Sequence, residues 1–487
     1  MISTENFGFV DLDFWEVPMA VLYFMLIAMW FSRTKNLRIK AEPEYRYYLW
    51  GFYAKVIGGM AFTVVYYFYY RGGDTIAYFY SAVPLVNLAK QDPIAYLHAL
   101  FADNSVRNRS IFFSVATGYP YSYIYVDPLG YFMAKLMSPI VLISFKSYLV
   151  SVVLLVAVTY QGIWKLFLTM ARYYPSIQPR LAFAVLFVPS CIFWGSGIMK
   201  DSFTFAAGCW FVHSIDNLLI RKINRFGALV SIMISGSMMA FLKPYILMTL
   251  LPACMLWAAY DRVSRIRNAV IRMITLPMLF AVLFFGLLVA FNSLGDSFGK
   301  FSPEKALHTV VITQADLKSG NYGSNYFDLG TIEPTWSSIL SKFPQATFAG
   351  MFRPTLFESR NVLMLISGLE NSLLLFLFLY ILYRTRVVHF IALLRKNPLL
   401  QMCYVFAIGY AFMVGITTPN FGALVRFKIP MVPLFLSALF ITTHIVDVRH
   451  MVQRRGGRFR FEDYRNGEPP KSPPHQPGKG QTTAVNL

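Results

Sequence analysis

Charge is what this sequence has least of. Only 14% of its 487 residues are Asp, Glu, Lys or Arg, where a soluble chain carries about 25%. With 56% hydrophobic residues and a mean hydropathy of +0.50, that deficit excludes an ordinary soluble globular protein. Cysteine is scarce as well. Cys191, Cys209, Cys254 and Cys403 all fall inside apolar runs, so they read as small core residues rather than disulfides or metal ligands. His98, His213, His308 and His389 show no ligand spacing, and no His/Cys/Asp group has the spacing of a zinc site. A P-loop, a dinucleotide fingerprint and a Ser-His-Asp arrangement are all missing. The N-terminus has no basic region ahead of its first apolar run, which argues against a cleaved signal peptide.

What is present is a succession of long apolar runs. A helix needs about 20 mostly apolar residues to cross a bilayer. Eleven segments qualify or nearly so: 14–32, 47–70, 147–169, 181–199, 203–220, 226–242, 245–260, 269–292, 362–383, 398–417 and 426–447. The expected fold class is therefore an all-α polytopic membrane protein with about 11 transmembrane helices. Lys135 and two prolines mark 128–145 as an interfacial or re-entrant segment rather than a twelfth span. No internal repeat stands out, and neither do the matched broken helices of an inverted-repeat transporter.

Base outnumbers acid, 44 to 24, for a net charge of +20. The basic residues gather in short loops: Arg33 to Arg46, Arg221 to Arg225, Arg262 to Arg272, and Arg384 to Lys396. By the positive-inside rule these loops are cytoplasmic, and the surplus needs no nucleic acid to explain it. Residues 1–13 hold Glu5, Asp11 and Asp13 and no base. The expectation is an N-terminus outside, a C-terminus inside and an odd number of spans. Two long extracytoplasmic segments follow, about 71–146 and 293–361. Residues 1–450 form a single membrane domain, and 451–487, rich in Gly, Pro and Arg, form a disordered basic cytoplasmic tail. The chain belongs in the bacterial inner membrane as a multi-pass protein.

The stretch FWGSGIMKDSF (193–203) closes an apolar run with Gly-Ser-Gly and then sets Lys200 beside Asp201. In this topology the pair lies in a tight outer turn, where the plain alternative is a charged hairpin with Gly195 and Gly197 allowing close packing. Other charges fall near outer membrane ends: Arg71 and Asp74 in RGGDTIAY, Lys243 in FLKPY, Arg353 and Glu358 in MFRPTLFESRN, Glu370 within the next span, and Arg426 and Lys428 in VRFKIPMVP. Ionisable groups at membrane depth are costly and usually face a cavity. Lysine and arginine suit phosphate or pyrophosphate, and a carboxylate among them can accept a hydroxyl proton. Asp74 follows two glycines that permit a sharp turn, with Arg71 three residues earlier. Its plain alternative is a cap for a helix starting near Thr75. Lys55 and Asp216, toward cytoplasmic ends, need only snorkel. The aromatic stretch 117–131 reads as an interfacial belt before it reads as a sugar platform. SGNYGSNYFDLG (319–330) reads as an ordinary Gly/Asn/Ser loop, in which Tyr322 and Tyr326, with Trp336, are either a grip for glycan or part of a disordered stretch.

GGDTIAY resembles the first extracytoplasmic loop of the GT-C glycosyltransferases, and RFKIPMVPLFLSAL resembles the Arg-rich, Pro-containing final-span motif of their bacterial branch. FWGSGIMKDSF and FLKPY are similar to segments of bacterial exopolysaccharide glycosyltransferase-like and O-antigen-polymerase-like membrane proteins. The resemblance implies that Asp74 is the catalytic base or acceptor-orienting acid and that Arg426 contacts a lipid phosphate. A second span precedes the acidic loop, and Gly73 stands where an acid pair would begin.

The expected function is transfer of a sugar or oligosaccharide from a polyprenyl-phosphate or pyrophosphate carrier on the outer face, in envelope or exopolysaccharide assembly. Asp74, Asp201 and Glu358 are the catalytic candidates. Arg71, Lys200, Lys243, Arg353, Glu370, Arg426 and Lys428 are the substrate-binding candidates. Partners are the polyprenyl-linked donor, a glycan or lipid acceptor and membrane lipids, with no nucleic acid. The sequence names no cofactor. A divalent cation stays open, although no metal motif stands in the chain. The rival functions are an O-antigen-type polymerase, a lipid-linked glycan flippase and a non-catalytic scaffold.

Overall fold

A computed structural model describes residues 12–293, 303–318, 325–360 and 362–454. The acidic stretch through Asp11, Tyr322 and the tail beyond Arg454 lie outside the described residues. The described residues hold no β-strand and are mostly helical. In chain order the helices are α1 (Glu16–Arg38), α2 (Tyr48–Val64), α3 (Asp74–Gln91), α4 (Pro93–Phe101), α5 (Val106–Phe112), α6 (Ser122–Val126), α7 (Pro128–Ile143) and α8 (Tyr148–Tyr173). There follow α9 (Gln178–Leu186), α10 (Pro189–Trp194), α11 (Lys200–Ile215), α12 (Arg225–Leu242), α13 (Pro244–Ser264), α14 (Ala269–Ser293) and α15 (Pro303–Lys318). The rest are α16 (Trp336–Ser341), α17 (Phe343–Phe352), α18 (Val362–Thr385), α19 (Val387–Lys396), α20 (Pro398–Thr417), α21 (Phe421–Phe427) and α22 (Val432–Arg454).

Eight helical segments are long and apolar enough to cross a membrane, so the chain is a polytopic membrane protein. Three more apolar helices are shorter, Pro128–Ile143, Pro244–Tyr260 and Pro277–Leu287. Outward faces carry the same signature. Leu22, Met25, Leu26, Met29 and Trp30 of α1 are exposed, and so are Leu369, Leu373, Phe376 and Leu379 of α18. In water such faces would be a liability; against lipid tails they cost nothing. By contrast, α8, α11, α20 and α22 are largely buried and form the centre of the bundle.

One expected span is not a single helix. Segment 181–199 splits into α9 and α10, joined through Phe187 and an extended Val188 (φ −69°, ψ 123°). Pro189 causes the break, because it lacks an N–H and pushes the residue before it out of the helical region. After α10 the chain runs through Gly195–Gly197 and an extended Met199 before α11 begins at Lys200. A side chain at Gly197 would overlap the Phe62 ring, and one at Gly162 would overlap the Ala206 carbonyl between α8 and α11. Both glycines are packing requirements.

The segment 71–146, expected on the outer face, is folded, not loose: α3 to α7 build a helical layer, with α3 packed along α7. Pro128 opens α7 and Pro139 lies within it, yet the helix runs on to Ile143 and buries Lys135. Hydrogen bonds gather the basic loops at one end of the bundle. Gln178 bonds Glu44 and Arg46, Tyr260 donates to the Arg395 carbonyl, Asn397 donates to Tyr174, and Ser176 meets His444.

Candidate functional site

Asp74 is delivered by a turn that few sequences can make. Arg71, Gly72 and Gly73 all have positive φ (50°, 149° and 110°), and Gly73 at φ 110°, ψ −175° is a conformation open essentially to glycine. Gly73 occupies the N-cap and Asp74 the first helical position of α3, so Asp74 is not the N-cap that the plain alternative made of it. Its carboxylate turns to Arg426, with Nη1 to Oδ2 at 3.7 Å. The expected partner, Arg71, is exposed and makes no ion pair with it.

Asp201 lies in the first turn of α11, where a carboxylate complements the positive helix end. It is buried, unlike a residue in the open turn that the sequence suggested. Across the gap, Lys243 caps the start of α13, ahead of Pro244. Its ammonium reaches Asp201 Oδ1 at 2.5 Å and stands 3.9 Å from the centre of the Phe427 ring. The other oxygen, Oδ2, faces Arg426 Nε at 3.5 Å. Arg426 ends the short helix α21 and lies over the Phe427 ring, with the Tyr66 phenol beside it. Lys200 turns aside to Asp127 at 3.1 Å and over the Tyr78 ring. Four segments far apart in sequence thus bring Asp74, Asp201, Lys243 and Arg426 together. The starts of three long helices, α3, α11 and α13, supply the first three of these side chains, and each start adds a partial positive charge that favours anions.

The four residues are not equivalent. Asp201 and Lys243 are nearly sealed, with side chains 4% and 9% exposed, while Asp74 is 47% exposed. Arg426 is held loosely. Its contacts at 3.5 and 3.7 Å exceed the 2.7–2.9 Å of a charge-assisted hydrogen bond, and its buried Nε has no hydrogen-bond partner among the described residues.

The remaining candidates form a separate group. Arg353 pairs with Glu358, whose other oxygen accepts from the Thr355 N–H and hydroxyl in a capping box. Burial alone would raise the Glu358 carboxyl. The hydrogen bonds from Arg353 and Thr355 outweigh it and hold the group below its usual value. Glu370 accepts from the Ser190 N–H at 3.0 Å and from the Ser190 hydroxyl. Lys428 donates to Asn371 Oδ1 and to the Arg353 carbonyl. These contacts tie α18 to α10 and to the turn between α21 and α22, and they satisfy all four side chains internally.

Several polar contacts were not foreseen. Asp127 at the start of α7 had a readable signal, an Asp-Pro N-cap in YVDPLGY, and it accepts from Leu129 N–H. Glu16 accepts from Ser147 and from the Leu149 N–H, tying α1 to α8. Lys55 and Asp216 do not snorkel: Lys55 is buried against the Gly195 carbonyl freed by the break after α10. Asp216 is sealed under Arg172 and Tyr173 at 3.2 and 2.7 Å. Among the described residues no group of three His, Cys, Asp or Glu side chains is arranged to hold a metal ion. Tyr326 and Trp336 are partly exposed, and Trp336 stacks edge-on against Phe285.

No protein-family model matches this chain, and the searches of curated proteins and of solved structures found no match to it.

Proposed function

We propose that the chain is a membrane glycosyltransferase of the bacterial inner membrane, taking a sugar or oligosaccharide from a polyprenyl-phosphate or pyrophosphate carrier at the outer face. The basic loops gathered at one end of the bundle support a cytoplasmic assignment for that end, which leaves the Asp74–Arg426 cluster outside. The observation that carries the proposal is the unequal state of the four clustered residues: an accessible carboxylate, Asp74, beside an arginine whose donors are incompletely used.

In this scheme the carrier phosphate enters beside the exposed Asp74 and draws the distantly paired Arg426 guanidinium to it, with the helix starts and Lys243 adding positive potential behind it. An acceptor hydroxyl attacks the anomeric carbon. The new carbon–oxygen bond forms as the bond to the carrier phosphate breaks, and the leaving phosphate keeps the electron pair. The hydroxyl proton passes to Asp74. Asp201, sealed and shared between Lys243 and Arg426, positions the two cations. An apolar cavity of about 340 Å³, lined by Met248, Phe280, Phe284 and Phe412 among others, includes Tyr245, two residues beyond Lys243, and its apolar lining suits the first isoprene units of a carrier tail.

The test is glycan transfer by the purified chain in liposomes loaded with undecaprenyl-pyrophosphate-linked oligosaccharide. General-base catalysis contributes about 10²–10⁴-fold, so Asp74→Asn loses at least about a hundredfold in product per unit protein. Near-normal product from Asp74→Asn removes the residue from the chemistry. Movement of the lipid across the bilayer without transfer supports a flippase instead.

A further inference from the structure

A second, independent site lies at the opposite end of the bundle. There the ends of α18 and α22 and the start of α19 enclose a cavity of about 290 Å³. Its polar lining includes Arg384, Arg386, His389, Arg449 and His450, over a floor that includes Leu393 and Ile445. A carboxylate beside it, Asp447, is committed to Arg384. Neither Arg386 nor Arg449 has an ion-pair partner among the described residues. Arg386 and Arg449, like charges from two elements, are thus held around one hollow with no carboxylate paired to either among the described residues, which is unfavourable unless something anionic enters.

The backbone adds a second observation. Arg386 sits at φ 58°, ψ 142°, a conformation that costs a non-glycine residue energy and tends to persist where the surroundings hold a side chain for a purpose. It starts α19, and α19 fixes the depth of the hollow. Phe390 and Leu393 of this helix are buried against the bundle. Val387, Val388 and Ile391 are exposed, by 57%, 77% and 44%. A short helix with an apolar face left outward and Arg395 and Lys396 in its last turn suits the headgroup layer of a membrane. The cavity beside it then opens at the level of lipid phosphates.

We propose that this cavity binds the phosphate-bearing headgroup of an anionic phospholipid from the leaflet on the basic-loop side. Arg386 and Arg449 engage the phosphate, and Arg384 is kept in place by Asp447. The apolar exposed face of α19 lies along the acyl chains. Basic hollows between helix ends on the cytoplasmic side have the chemistry for such headgroups, and the forked donors of arginine suit a phosphodiester better than lysine would.

The test is native mass spectrometry of the full chain in detergent with added cardiolipin or phosphatidylcholine. The unaltered chain retains cardiolipin and not phosphatidylcholine. Arg386→Gln/Arg449→Gln weakens cardiolipin binding roughly tenfold or more. A charge-matched control, Lys90→Gln/Arg107→Gln, removes two exposed charges from the other face and leaves binding unchanged. Equal losses in both double variants would overturn the site, because they would mean that only total charge matters. Displacement of bound cardiolipin by roughly millimolar pyrophosphate would overturn the lipid assignment in favour of a soluble phosphate compound.

Discussion

The ammonium of Lys243 and the carboxylate of Asp201 stand 2.5 Å apart in a pocket sealed from solvent on almost every side. Lys243 begins α13 and Asp201 begins α11, so this pair fixes how two helix starts face each other. A buried charge that loses its partner costs about 3–5 kcal/mol, whereas removing both charges can be nearly neutral. Lys243→Met or Asp201→Asn alone therefore lowers the unfolding temperature in detergent markedly. The joint variant Asp201→Asn/Lys243→Met recovers only the share due to Lys243, because Arg426 still lacks the Asp201 carboxylate, and it does not recover glycan transfer. Strictly additive losses in thermal unfolding would show that the pair is not coupled.

The orientation has its own check. The four native cysteines are buried, so they leave little background for thiol labelling in intact cells. A cysteine at Glu333, which is exposed beyond α15, reacts with a membrane-impermeant reagent. A cysteine at Lys396, in the last turn of α19, reacts only after the membrane is opened. The reverse pattern moves the Asp74 cluster to the cytoplasm and ends the glycosyltransferase proposal in its present form.

Glu358 gives a pH-dependent prediction. Its carboxyl is held below its usual value by Arg353 and Thr355 against the opposing effect of burial. A depressed folded-state value means that the stabilisation is fully present above the unfolded-state value, near 4.5, and fades as pH falls through the lower folded one. Stability measured between about pH 6 and pH 3 falls with acid in the unaltered chain. Glu358→Gln is less stable at the upper end and shows a flatter profile. Parallel profiles for the two would contradict the pairing.

That the chain is an all-helical polytopic membrane protein was legible because apolar runs are a local signal. Pro189 shows the limit: it lies inside an apolar run, and hydropathy does not register that it divides α9 from α10. The charged cluster was legible only as a set of residues near membrane ends. Which of them meet depends on contacts across 42 positions for Lys243 and Asp201 and from one end of the membrane domain to the other for Asp74 and Arg426, and no local pattern records that. Arg353, Glu358, Glu370 and Lys428 look the same in sequence as Asp74 and Arg426. Only packing reveals that the first four find partners within the fold, while Arg426 keeps one donor, Nε, without a hydrogen bond. Lys55 was misplaced for a related reason. The carbonyl that receives it, on Gly195, is free only because the chain breaks there.

The central claim is that Arg426 holds an anionic lipid phosphate, and its most direct measurement is the affinity of the purified chain for undecaprenyl phosphate. A hydrogen bond to a charged group is worth about 1.5–3 kcal/mol, or roughly ten- to a hundredfold in affinity. Arg426→Gln should therefore bind at least about tenfold more weakly, while Arg386→Gln/Arg449→Gln at the far end of the bundle binds as the unaltered chain does. Undiminished affinity in a folded Arg426→Gln protein would contradict the account.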